Sequence, residues 1–202
     1  MNPTPFRFCC LVICITLMTA CSSPRKMHYY GLNLPPQGTA EGTPSHVAWP
    51  SLGIGPVTLA PTLNHTGVVS QTDSSRLRVS GSHVWAGDLD QILTHLLAQQ
   101  LANLNGSPRV SPHPWDHRSR PEYQVKIHVE ALGGPLDGPV QLRLNWVLLG
   151  ERGEQELLRE RQTYTCELAG SGYEAYVAGL NTLVIQFGED LHQQIDARLA
   201  QP

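Results

Sequence analysis

Apolar and polar residues alternate most cleanly where Tyr123, Val125, Ile127, Val129 and Ala131 interleave with Gln124, Lys126, His128 and Glu130. A period of two predicts a strand with one buried and one wet face. Past the Gly/Pro-rich turn at 133–139, Val140, Leu142, Leu144, Trp146 and Leu148 alternate with Gln141, Arg143 and Asn145. Leu158, Tyr164, Cys166 and Leu168 then share the apolar side of a third strand. Three such strands joined by short turns predict an antiparallel meander.

Upstream, alternation from Met27 to Leu34 predicts a short strand carrying Tyr30, Leu32 and Leu34 on one side, and residues 51–59 predict a second, with Pro56 marking a bulge or an edge. Residues 35–50 and 107–122 carry many breakers and no period, so they read as loops. Gly67–Ser70 and Arg76–Ser80 flank the turn-prone QTDSS segment and predict a hairpin.

Two segments switch to a period of 3.6. Leu89, Ile92, Leu93, Leu96, Leu97, Leu101 and Leu104 form one helical stripe, with Asp88 and Gln91 spaced as a capping box and Asn105-Gly106 as the stop. Ser171-Gly-Tyr-Glu174 has the same capping spacing and opens a stripe running from Tyr173 to Leu199. That helix, about 28 residues or roughly 42 Å long, exceeds one small sheet, so part of it is expected to project or to meet a partner. The whole is expected to be a two-layer α+β domain, a mixed or antiparallel sheet with two helices packed on one face.

Composition narrows the function. The 202 residues are 41% hydrophobic and 15% charged with a formal net charge of -3, which argues against nucleic acid as a partner. At the N-terminus Arg7 precedes an apolar run, Phe8–Met18, of about eleven residues, well short of the roughly 20 that a helix needs to span a bilayer. It reads as a signal-peptide core. Met18-Thr-Ala-Cys21 resembles a bacterial lipobox, with Met18 standing where Leu is usual; a conventional signal cleaved after Ala20 is the alternative. The lipobox reading makes residues 1–20 a lipoprotein signal peptide, 21–26 a lipidated tether and 27–202 one folded domain. Cys21 would carry N-acyl and S-diacylglycerol chains such as palmitate, the only cofactor-like group expected, and two or more chains give stable anchoring. Ser22, rather than Asp, after the cysteine points to the outer membrane. Cys9, Cys10 and Cys14 leave with the leader, so Cys166 remains as a lone thiol, expected to be buried and inert.

Candidate chemistry is sparse. His113-Pro-Trp-Asp-His117 has two histidines at helical metal-ligand spacing, but Pro112 and Pro114 forbid the helix that would align them, and a solvated loop is expected. The chain has no H-E-x-x-H, C-x-x-C or Walker pattern. Tyr29, Tyr30, Trp85 and Trp115 are the aromatics that could contact a partner or simply pack; packing is favoured for the two tryptophans, and a strand in the core over a headgroup contact for the two tyrosines.

The order of these landmarks resembles the PqiC-like, ABC-type transport auxiliary lipoproteins. His28-Tyr-Tyr-Gly-Leu32 stands for the family's Tyr-Tyr-x-Leu, and Leu52–Leu59 for its Gly-containing strand. His83-Val-Trp-Ala86 precedes the leucine-rich helix, Pro114-Trp115 precedes the Tyr123 strand, and Ser171–Glu174 opens the last helix. The resemblance implies a non-enzymatic outer-membrane lipoprotein working with a PqiB-like, periplasmic MCE-domain protein in lipid transport between membranes, with a homo-oligomeric ring as one possible form. The alternatives are a periplasmic lipid-binding shuttle and, least favoured, an envelope hydrolase.

Overall fold

The computed structural model describes residues 26–35 and 49–200. The leader, Cys21, most of the tether and most of the 35–50 loop lie outside the described residues. In chain order the elements are β1 His28–Tyr30, β2 Leu52–Leu59, β3 Gly67–Gln71, β4 Leu77–Trp85, α1 Leu89–Asn105, β5 Val110–Pro112, β6 Tyr123–Gly133, β7 Val140–Gly150, β8 Gln155–Cys166 and α2 Gly172–Leu199, with short 3-10 turns between some of them.

The strands divide between two sheets. A large mixed sheet has the order β5-β2-β6-β7-β8, in which β2 runs parallel to β5 and β6, while β6, β7 and β8 form the expected antiparallel meander. A small sheet has the order β1-β4-β3, with β1 parallel to β4 and the β3–β4 hairpin antiparallel. Register in the meander follows the alternation: Ile127 faces Trp146, Val129 faces Leu144, and Leu148 faces Leu158. The apolar sides of β2, β6 and β7 meet Leu93 and Leu97 of α1 and Val184 and Phe187 of α2 around a residual void of about 10 Å³. Both helices therefore cover one face, and the α+β layering read from the periodicities holds.

Local differences have physical causes. β1 is only three residues long because the backbone beyond it changes partner: Asn181 of α2 donates from Nδ2 to the Asn33 carbonyl and accepts from the Asn33 N–H, both at 2.9 Å. Leu32 is still buried, outside any strand. β5 falls inside a segment read as loop, because three residues ending in a proline carry no period. Pro56 does sit at an irregularity, the β2–β6 register shifting between Ile54 and Val57, and the buried Gln124 side chain donates to the Gly55 carbonyl there. α1 stops at Gly106 in the left-handed conformation, as expected. Neither capping box forms: Asp88 and Ser171 occupy the cap positions without a side-chain cap bond. The end of α2 does not project through its apolar stripe, which is buried as far as Ile195; Trp49, 2% exposed, donates to Asp196 at 2.6 Å and its ring lies against His192.

Cys166 is half-buried, with its sulfur 3.2 Å from the Glu167 carbonyl oxygen. The meander's other face is polar. Glu130 accepts from Arg143, Asn145 and Arg161 at 3.0, 2.6 and 2.7 Å, which holds its carboxyl below the usual range, the Asn145 bond contributing most.

Gly53 in β2 leaves no room for a side chain, because a Cβ there would lie 2.3 Å from the Trp115 ring and 2.5 Å from Pro121. Gly53→Ala is expected to lower the urea midpoint by the equivalent of about 1–3 kcal/mol, as overpacking does. Gly87→Ala, which would meet nothing nearer than Ile92 at 4.0 Å, is expected to stay within about 0.5 kcal/mol of the parent.

Candidate interaction surface at the small sheet

The first turn and a half of α2 touches every strand of the small sheet. The Tyr173 ring stacks on His83 of β4 with centroids 3.9 Å apart and planes 10° apart, and His28 of β1 stacks on the same imidazole at 4.8 Å. Glu174 accepts from the Tyr30 hydroxyl of β1 at 3.1 Å. The same hydroxyl lies 2.9 Å from Nδ1 of His83. With its one proton given to Glu174, the tyrosine oxygen can accept from His83 in the tautomer that carries its proton on Nδ1. Tyr176, fully buried, donates to the Val69 carbonyl of β3 at 2.8 Å and accepts from the Gly134 N–H, in the β6–β7 turn, at 3.1 Å.

Burial pushes the Tyr176 and Tyr30 hydroxyls up to about 12, with Glu174 adding to the shift at Tyr30. The Glu174 carboxyl is held below its ordinary 4.5, first by its own backbone N–H and then by the Tyr30 hydroxyl, with His28 and His83 adding attraction. That carboxylate turns to its own backbone and to β1, instead of closing a capping box with Ser171.

The opposite, outer face of the small sheet is apolar. Tyr29 pairs with Val84, Val84 with Gly67, Val79 with Val69 and Leu77 with Gln71, and residues paired across strands share a face. Met27 directly precedes β1, two residues from Tyr29. A bulge in β4 keeps this stripe in phase: four residues lie between Val79 and Val84 where β3 has one, and the Ser80 hydroxyl accepts from the N–H groups of Ser82 and His83. Met27, Tyr29, Leu77 and Val79, exposed by 40, 70, 54 and 46%, are the large hydrophobics most open to solvent among the described residues. At the Leu77 end this face runs into a groove shared with Glu130 and Ala131 of β6.

The singled-out aromatics thus separate. Tyr29 is a surface residue, and Tyr30 is half-buried in the stack. Trp85 is buried, while Trp115 packs over Gly53 and donates to the Ser111 carbonyl at 3.4 Å, so both tryptophans pack. His113 meets the Trp115 ring edge-on at 5.1 Å. No group of three or more His, Cys, Asp or Glu is placed to hold a metal among the described residues. The exposure of Leu77 and Val79 was not foreseen from the sequence, since alternation marks a face as apolar without saying whether anything covers it.

Tyr176→Phe is expected to destabilise by about 1–3 kcal/mol in urea unfolding, because it strands a buried carbonyl and a buried N–H. For Glu174 the folded pKa is depressed, so its contribution is complete above 4.5 and is lost as pH falls through the lower folded value. The stability gap between parent and Tyr30→Phe should therefore be widest above pH 4.5 and narrow on acidification; a gap independent of pH would contradict this.

A family model described as the ABC-type transport auxiliary lipoprotein component matches residues 30–200. A comparison with curated proteins gave no match. Among solved structures, an uncharacterized protein superposes with a TM-score of 0.67 at 22% identity, covering 84% of this chain and 99% of that one. A protein from Xanthomonas campestris superposes with a TM-score of 0.69 at 14% identity, covering 87% of this chain and 97% of that one. Likeness at such identities shows a shared fold.

Proposed function

The chain belongs to the ABC-type transport auxiliary lipoprotein family, and from that premise we propose that it is a non-enzymatic adapter, lipidated at Cys21 and held at the periplasmic face of the outer membrane. There it docks a PqiB-like, periplasmic MCE-domain protein of a system that moves lipid between the membranes. One observation carries the choice of a fixed adapter: His28, seven residues after Cys21, is already paired to β4 and stacked on His83. Seven residues span at most about 25 Å even when fully extended. A domain on so short a link stays at its membrane.

The shuttle alternative needs an apolar chamber for an acyl chain, and ligand pockets run to about 300–1,000 Å³. The cavity lined by both helices and the large sheet is about 10 Å³; the hollow of about 370 Å³ beside Leu32, Ile92 and Leu96 is an open surface cleft and not an enclosed chamber, which favours the adapter. No helix among the described residues is long and apolar enough to cross a membrane.

Cys21→Ser is expected to abolish incorporation of labelled palmitate and to release the protein from the membrane fraction. In-cell crosslinking of the acylated full chain is expected to capture the MCE-domain protein encoded beside it. Unchanged palmitate labelling in Cys21→Ser would contradict the anchor, and the lack of both such a neighbouring gene and such a capture would contradict the adapter role.

A further inference from the structure

We infer that the outer face of the small sheet is a second membrane contact, lying flat on the lipid surface that the anchor enters, so that the domain is oriented there as well as tethered. The inference rests on the anchor reading of Cys21. Of the four large hydrophobics exposed by 40% or more among the described residues, Tyr29, Leu77 and Val79 lie on this face by their strand pairing, and Met27 directly precedes its first strand. In water such exposed side chains are unfavourable, and their gathering on one sheet face marks an interaction site.

What covers it follows from the chain that leads to it. Met27, at one end of the stripe, is six residues from Cys21. Six residues reach at most about 20 Å, so an acylated Cys21 keeps that end of the face within reach of the bilayer at all times. The chemistry fits an interface more than a protein groove. Tyr29 offers an apolar ring with a polar tip, the pattern enriched at headgroup depth. Lys26 directly precedes Met27, and Arg76 directly precedes Leu77 with its side chain 76% exposed, so a long cationic side chain flanks each end. Such side chains lay their stems along apolar surface and keep their charge at phosphate level. Asp73 pairs with Arg76 at 2.6 Å and sits in the β3–β4 turn, beyond the stripe.

The other side of the same sheet makes the contact rigid. His28, Tyr30 and His83 point inward to Tyr173 and Glu174, so the outer residues are held by a sheet that α2 already grips. The acyl chains supply the affinity, and the face sets the angle at which the rest of the domain faces the periplasm.

The test uses the acylated full chain in phosphatidylethanolamine–phosphatidylglycerol vesicles, with Cys166→Ser as background and a nitroxide placed by Val79→Cys, Leu77→Cys or, on the solvent side of α2, Gln186→Cys. Vesicle flotation is measured on each sample before the spectra. The Val79 and Leu77 labels are expected to lose accessibility to an aqueous nickel chelate and to gain accessibility to oxygen, which concentrates in lipid, while the Gln186 label stays open to the chelate. Floating protein whose Val79 and Leu77 labels are as wet as Gln186 overturns the contact and leaves the anchor standing. Spin–spin broadening at Val79 or Leu77 overturns it in favour of a second copy covering the face. Protein that does not float overturns the anchor at Cys21 and the contact with it.

Discussion

The grip of the first turn and a half of α2 on the small sheet is the interaction on which the arrangement depends. Tyr173, Glu174 and Tyr176 reach β4, β1 and β3 in turn, and Tyr176 also ties β3 to the β6–β7 turn of the large sheet. A net hydrogen bond is worth about 1 kcal/mol, but breaking a buried one exposes the full desolvation penalty of its partners. β1 has three residues and one strand neighbour, so its backbone bonds alone would not hold it. The ring stack and the Tyr30–Glu174 bond make it a fixed element.

Fixing the small sheet gives the molecule two outer faces of different character. The meander's outer face is a polar ladder in which Glu130 gathers Arg143, Asn145 and Arg161. The small sheet's outer face is apolar and carries the large hydrophobics most open to solvent among the described residues. A bilayer favours the second surface and water the first, so charge and hydropathy alone give the domain a preferred orientation. On the adapter role proposed above, a partner arriving from the periplasm would then meet the same surface each time.

Much of this was legible in the sequence. The meander, both helices, the irregularity at Pro56 and the stop at Gly106 follow from periodicity and backbone chemistry, and the order of landmarks pointed to the family that residues 30–200 match. Alternation tells which side of a strand is buried but not which strand it pairs with, so the division into two sheets was not readable. β5 has three residues and a proline, too little for a period. Trp49 lay in a segment of breakers and gave no sign of its place against His192 and Asp196 of α2. The capping spacings marked where the helices start, while tertiary contacts decided what the side chains do: Glu174 serves β1 instead of Ser171.

The central claim is that the small sheet is an integral part of the domain, held by α2 against the large sheet. Native-state amide hydrogen exchange on the vesicle-anchored protein, across increasing denaturant, tests it most directly. The account predicts that the amides of β4 and the Ala86 N–H bonded to the Tyr30 carbonyl exchange only through the opening that also exposes β6 and β7. Exchange of the β1–β4 amides through a separate, lower-energy opening, with β6 and β7 still protected, would contradict it.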